Sequence, residues 1–185
     1  MSMFAKSMQR SSTWIARVAR QQPFHTSALR AFPKSEEHTT TPENLNSLAS
    51  RLQISFNHRD ILGQALTHKS FRQGTVPTNE NLIQYGNRVL AFYVASSVPK
   101  DAGEEKMKST LKGYNENNFL ASVADNLEIA DCLQYQLPPD TKGSGITSVK
   151  AGSLKALLGA IYQDQGEAAA REFVNKHILS RKLVI

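Results

Sequence analysis

Two helix-patterned apolar segments of this chain each carry a glycine in their interior. In residues 79–97, Leu82, Tyr85, Val89, Phe92 and Tyr93 fall at helical spacing, and Gly86 lies among them. Residues 149–163 are dense in Ala, Leu and Ile around Gly159. A glycine inside a helix costs about 0.5–1 kcal/mol relative to alanine. Two such positions therefore signal a backbone that another backbone must approach closely, here helix on helix. Ala156, Leu157, Ala160 and Ile161 belong to the same close-packed seam.

The remaining periodicity is also helical. Pro42 suits a first helical turn, and Leu45, Leu48, Leu52 and Ile54 follow it. A second helix starts near Asn57, with Ile61, Leu62, Ala65 and Leu66 as its stripe. Residues 72–78 read as a loop, Thr78 or Asn79 as an N-cap, and Pro99 as a stop. Met107 and Leu111 mark a Lys-rich helix, followed by one from about Asn117 to Leu127. Residues 138–147 read as a loop and Val149–Gln163 as a helix. A last amphipathic helix runs from about Glu167 to Leu179. No strand pattern is evident, so the expected fold class is all-α.

The formal charge of +6 over 185 residues suggests a nucleic-acid binder, but its distribution is uneven. Residues 1–35 hold Lys6, Arg10, Arg17, Arg20, Arg30 and Lys34 and no acid. The other 16 of the 22 basic residues face all 16 acids, so residues 36–185 are formally neutral. An Arg- and Ser-rich, acid-free, amphipathic start is the composition of a mitochondrial transit peptide. Residues 1–35 are therefore expected to be one, cleaved somewhere in 20–35. A linker over 36–42 and one domain over 43–185 follow, and the expected location is the mitochondrial matrix. The single cysteine, Cys132, excludes an internal disulfide and a Cys-based zinc site. No apolar run approaches the ~20 residues of a membrane-spanning helix.

Five segments, in order, resemble the ribonuclease III family. Leu66-Thr67-His68-Lys69-Ser70-Phe71 is similar to its LTHxSY motif, and Asn79 through Leu90 to its signature helix N-E-R-L-E-F-L-G-D-x-V-L. Gly103 through Leu111, Asn118 through Ala121 and Lys155 through Asp164 are similar to three further motifs. The resemblance covers about residues 56–180 and implies the family's helical endonuclease-domain fold. A double-stranded-RNA-binding domain is not expected. The family holds Mg²⁺ with carboxylates, and the metal activates water for phosphodiester hydrolysis. Carried across position by position, Glu80 is retained. The second glutamate is Ile83, the aspartate is Asn87, and the late D-x-x-E pair is Gly152 and Lys155. The chain is therefore expected not to be an enzyme and to hold no metal or other cofactor. Lys155 is expected either to pair with Glu80, its ammonium replacing the metal, or to stand solvated.

His68 is expected to be structural, and His25, His38, His58 and His177 show no ligand spacing. Candidate RNA contacts are Lys106, Lys108, Lys112, Lys142, Lys150, Arg171, Lys176, Arg181 and Lys182, with His177 in the last cluster. Leu82, Ile83, Tyr85 and Leu90 are candidates for a dimer interface or core. The chain also resembles the ribonuclease III-like proteins of mitochondrial large ribosomal subunits, the short fungal form above all. That resemblance implies a structural constituent of the large subunit, contacting its rRNA and other ribosomal proteins. Its expected partner is a second ribonuclease III-like protein in a heterodimer. The alternative is a non-catalytic partner subunit of a mitochondrial RNA-processing nuclease.

Overall fold

The computed structural model describes residues 36–138 and 143–181; the expected transit peptide over 1–35, Lys142 and Lys182 lie outside them. The described chain is largely helical. Helices α1 (Pro42–Leu52) and α2 (Arg59–Ala65) come first, then a 3₁₀ turn at Phe71–Gly74. Helices α3 (Glu80–Ser97), α4 (Gly103–Tyr114) and α5 (Asn117–Asn126) follow. Then come α6 (Ser144–Gln165) and α7 (Glu167–Val174), the latter running into a wider turn over Asn175–Leu179.

Helix α1 starts as its sequence requires. Pro42 occupies the first turn, and the Thr41 Oγ1 accepts from the Asn44 N–H at 3.3 Å. Asn79 precedes α3 and ties it to the end of α2. Its N–H donates to the Thr67 carbonyl and its Nδ2 to that of Ala65. Helix α6 begins five residues before the expected Val149. Gly143, at a φ of +108°, turns the chain there and accepts at its carbonyl from both the N–H and the hydroxyl of Thr147.

The core forms around α6. Val149, Ala151, Leu154, Ala156, Leu157, Leu158, Ala160 and Ile161 are all buried, so this helix is covered on most sides. It packs on α2, α3, α5 and α7. The α3 contact is the closest. A Cβ at Gly86 would lie 1.7 Å from the Lys155 carbonyl oxygen, and one at Gly159 would lie 2.3 Å from that of Leu82. The glycines are required because backbone meets backbone there.

One element departs from the all-helical pattern. Residues 36–38, within the expected linker, form a short strand β1 (Glu36–His38) antiparallel to β2 (Tyr135–Leu137). The His38 ring stacks on Tyr135 at 5.0 Å, and its Nδ1 bonds the Leu133 carbonyl at 2.6 Å. Three residues are too few to display alternation, and the partner strand lies almost a hundred residues away.

At the other end of α6, the Asp164 carboxylate, with its side chain wholly out of water, caps α2 from outside. It accepts the N–H groups of Asn57 (2.7 Å) and His58 (3.0 Å) and bonds the His58 Nδ1 at 2.8 Å. Burial alone would raise its pKa. These donors outweigh burial and hold the carboxyl below its ordinary value.

Candidate functional site

The α3–α6 crossing carries most of the motif positions singled out in the sequence. Just beyond Gly86 and Gly159, Ile83 projects its Cδ1 to 3.3 Å from where a Cβ of Gly152 would be. A side chain at position 152 would press on it, so the two positions pack as one: an alkyl group on α3 fills space left by a glycine on α6. Asn87 and Lys155 are partly buried. Desolvation of the Lys155 ammonium lowers its pKa.

Glu80 does not pair with Lys155. The Glu80 carboxylate lies 3.7 Å from the Lys69 Nζ, both side chains being mostly exposed, and such pairs contribute about 0–1 kcal/mol. No carboxylate lies within 4.0 Å of the Lys155 ammonium among the described residues. Geometry supplies the reason. The Lys155 backbone meets α3 at Gly86, six residues beyond Glu80 and hence about 9 Å further along the helix axis. Glu80 instead lies beside the turn that carries Lys69.

His68 in that turn is structural, as expected. The Ser70 N–H donates to the His68 Nδ1, which also lies 2.8 Å from the Ser70 hydroxyl. The Ser70 Oγ in turn accepts the Gln136 N–H of β2 at 3.0 Å. Burial and then Lys69 lower the imidazole pKa, against an opposing contribution from Glu80.

The described basic candidates lie on α4, α6 and α7, on the wider turn after α7 and, for Arg181, just beyond that turn, and several are already engaged. Lys108 pairs with Glu104 and Glu105, Lys150 with Asp125 at 2.7 Å, and Arg171 with Glu167. Lys176 donates to the Gln53 side chain at 3.0 Å; the Tyr114 hydroxyl donates to the Arg181 carbonyl, a bond that does not involve the guanidinium. Lys106 and Lys112 form no ion pair among the described residues.

The interface candidates divide. Leu82 and Leu90 are 3% and 2% exposed and belong to the core, because they lie on the side of α3 that meets the rest of the chain. Ile83 is partly buried against Gly152. Tyr85 is 50% exposed, and Phe92, which was not among the candidates, is 60% exposed. Seven residues separate these two rings, so they share one outward stripe; that spacing was the available signal. A separate groove of about 1300 Å³ lies among α1, α2 and the Phe71–Gly74 turn and contains none of these positions.

The residues at the family's metal positions do not fit a divalent cation. Mg²⁺ takes oxygen donors in near-octahedral order. Positions 83, 87, 152 and 155 offer an alkyl group, an amide, a glycine hydrogen and an ammonium. Among the described residues no group of three or more His, Cys, Asp or Glu is assembled for a metal.

Residues 58–182 match the family described as ribonuclease-III-like. The fold is similar to two structures of the nuclease domain of ribonuclease III from Campylobacter jejuni. The first, described for structural flexibility in a region involved in dimer formation, aligns at a TM-score of 0.67 and 24% identity. That alignment covers 74% of this chain and 97% of that one. The second, a crystal structure, aligns at 0.65 and 25% identity over 75% and 95%. The expectation that this chain is not an enzyme is thereby corrected. Its homologues are nuclease domains, which are enzymes, and four changed side chains are no positive evidence of inactivity. With the family match spanning more than half of its length, the chain belongs to the ribonuclease-III-like family.

Proposed function

We propose that this ribonuclease-III-like protein works in the mitochondrial matrix as a constituent of the large ribosomal subunit. It contacts rRNA and pairs with a second ribonuclease III-like protein. The exposed Tyr85–Phe92 stripe on α3 is the observation that carries the partner. Two large rings on one helix face form an apolar strip of the kind that marks interaction sites, and the relative from Campylobacter is described for a dimer-forming region of its own. The acid-free basic leader supports the location. The formally neutral remainder of the chain, with many of its cations engaged internally, supports a protein held by an assembly, since affinity for RNA rests on free cations.

Sedimentation of detergent-lysed mitochondria at two Mg²⁺ concentrations tests this reading. The expected outcome is co-migration with the large subunit through a moderate salt wash. A second reading, favoured by the family match to nuclease domains, makes the chain a subunit of a mitochondrial RNA-processing nuclease. Migration as a small complex, with Mg²⁺-dependent cleavage of duplex RNA co-purifying, would establish that reading and remove the first.

A further inference from the structure

We propose that Arg88 decides what the Tyr85–Phe92 stripe of α3 accepts. It rejects a second copy of this chain and selects a different protein, one whose apolar helix face carries a carboxylate at its middle. This deepens the heterodimer reading above and rests on it, though not on the ribosomal location.

Between Glu80 and Ser97, α3 carries only two charged residues, Glu80 and Arg88. Glu80 lies eight residues before Arg88, about 12 Å along the helix axis, and is engaged with Lys69. Arg88 follows Tyr85 by three positions and precedes Phe92 by four, so the three share one outward arc, and all are exposed. Asn81, Gln84 and Ala91 in the same arc are exposed and uncharged. The Arg88 guanidinium donates to the Gln84 carbonyl at 3.3 Å. It forms no ion pair among the described residues. The strip that offers two rings thus holds one unneutralised cation, near its centre.

A second copy meets that charge with the same charge. A two-fold dimer uses one patch on both subunits, and two arrangements cover both rings of both copies. With the helices parallel, every residue lies beside its own copy. With them antiparallel, Tyr85 lies opposite Phe92 and the midpoint of the stripe meets itself. Either way two Arg88 guanidinium groups come together with no acid on the face to separate them. Like charges across an interface exclude a partner. An Asp or Glu at the matching position of another protein makes the same residue attractive, through charge-assisted hydrogen bonds in an apolar surround. Nucleic acid suits the face less well. Holding a phosphate backbone takes several cations, and this face has one.

The test is sedimentation velocity of the full chain over a concentration series at two salt concentrations. The samples are wild type, Arg88→Leu, Arg88→Glu, and wild type mixed equally with Arg88→Glu, with thermal melts to verify folding. Wild type and Arg88→Glu are each expected to be monomeric alone, because each repeats one charge across the two-fold. Their mixture should form a 1:1 dimer about tenfold tighter or more than either self-association. Salt should weaken it, and Phe92→Ala in both chains should abolish it. Arg88→Leu should self-associate with little dependence on salt.

Wild type that dimerises through the stripe would overturn the proposal. So would a mixture and an Arg88→Leu sample that stay as monomeric as the wild type. Loss of duplex-RNA binding in Arg88→Glu, with the mixture still monomeric, would give the face to nucleic acid instead. In lysed mitochondria the Arg88→Glu chain should be released from the complex that holds the wild type. Retention in that complex removes the role of Arg88 and keeps the heterodimer reading. A wild-type chain that sediments there as a free monomer removes that reading, and the proposal with it.

Discussion

The two ends of the α3–α6 contact obey different rules. At Gly86 and Gly159 the helices touch through their backbones, and nothing larger than hydrogen fits. At Ile83 and Gly152 the same helices meet through a side chain, and an alkyl group has taken the space next to a glycine. Backbone contact admits no compensation, because neither partner can withdraw without moving its helix. Side-chain contact admits exchange, provided that volume on one helix is traded for volume on the other. The fold can therefore persist while the chemistry along its edge changes, and the two properties are tested separately.

The largest effect is expected at the first region. Gly86→Ala or Gly159→Ala should destabilise by about 3 kcal/mol or more, at the upper end of overpacking penalties, and read out as a loss of cooperative thermal unfolding. A near-neutral result at either position would show that the helices can separate, and the contrast between the ends would collapse.

Next comes Asp164. Replacing it by Ala leaves the Asn57 and His58 N–H groups without their carboxylate and should cost about 1.5–3 kcal/mol. Its titration has a definite sign. The folded carboxyl lies below its ordinary value, so its contribution is fully present above the ordinary carboxylate pKa and is lost as the pH falls from there through the folded value. Denaturant midpoints measured downward through that window should fall more steeply in the wild type than in Asp164→Asn.

Gly152→Ala sharpens the comparison directly. Its new methyl would meet the flexible end of Ile83 at 3.3 Å, so a cost of about 1 kcal/mol or less is expected, relieved in a double variant with Ile83→Val. A penalty as large as that at Gly86 would place position 152 under the backbone rule.

The smallest effect is at Ser153, whose fully buried hydroxyl has no hydrogen-bond partner among the described residues. Ser153→Ala removes an unsatisfied polar group and should raise stability by a few tenths to about 1 kcal/mol, visible as a small upward shift in Tm.

The backbone seam was legible in the sequence because a glycine inside an apolar helical run costs stability unless a close neighbour requires it. The start of α1 was legible for a similar reason: Thr41 and Pro42 can each be read locally. The orientation of α3 was not. Apolar residues cover more than half its circumference, so periodicity alone could not decide that Leu82 and Leu90 turn inward while Tyr85 and Phe92 turn out. The partner of Glu80 was equally hidden. Alignment to a motif places two residues in one site but carries no distance along a helix axis. The β1–β2 ribbon and the Asp164 cap depend on residues about a hundred positions apart, which no local pattern reports.

That separation governs the order in which the molecule is completed. Asp164 satisfies Asn57 and His58 across 107 and 106 positions, and β2 closes on β1 across a similar span. A chain delivered N-terminus first presents α2 with a bare leading end until residue 164 has emerged. Helix α2 waits on α6, so an element made early is completed only by one made about a hundred residues later.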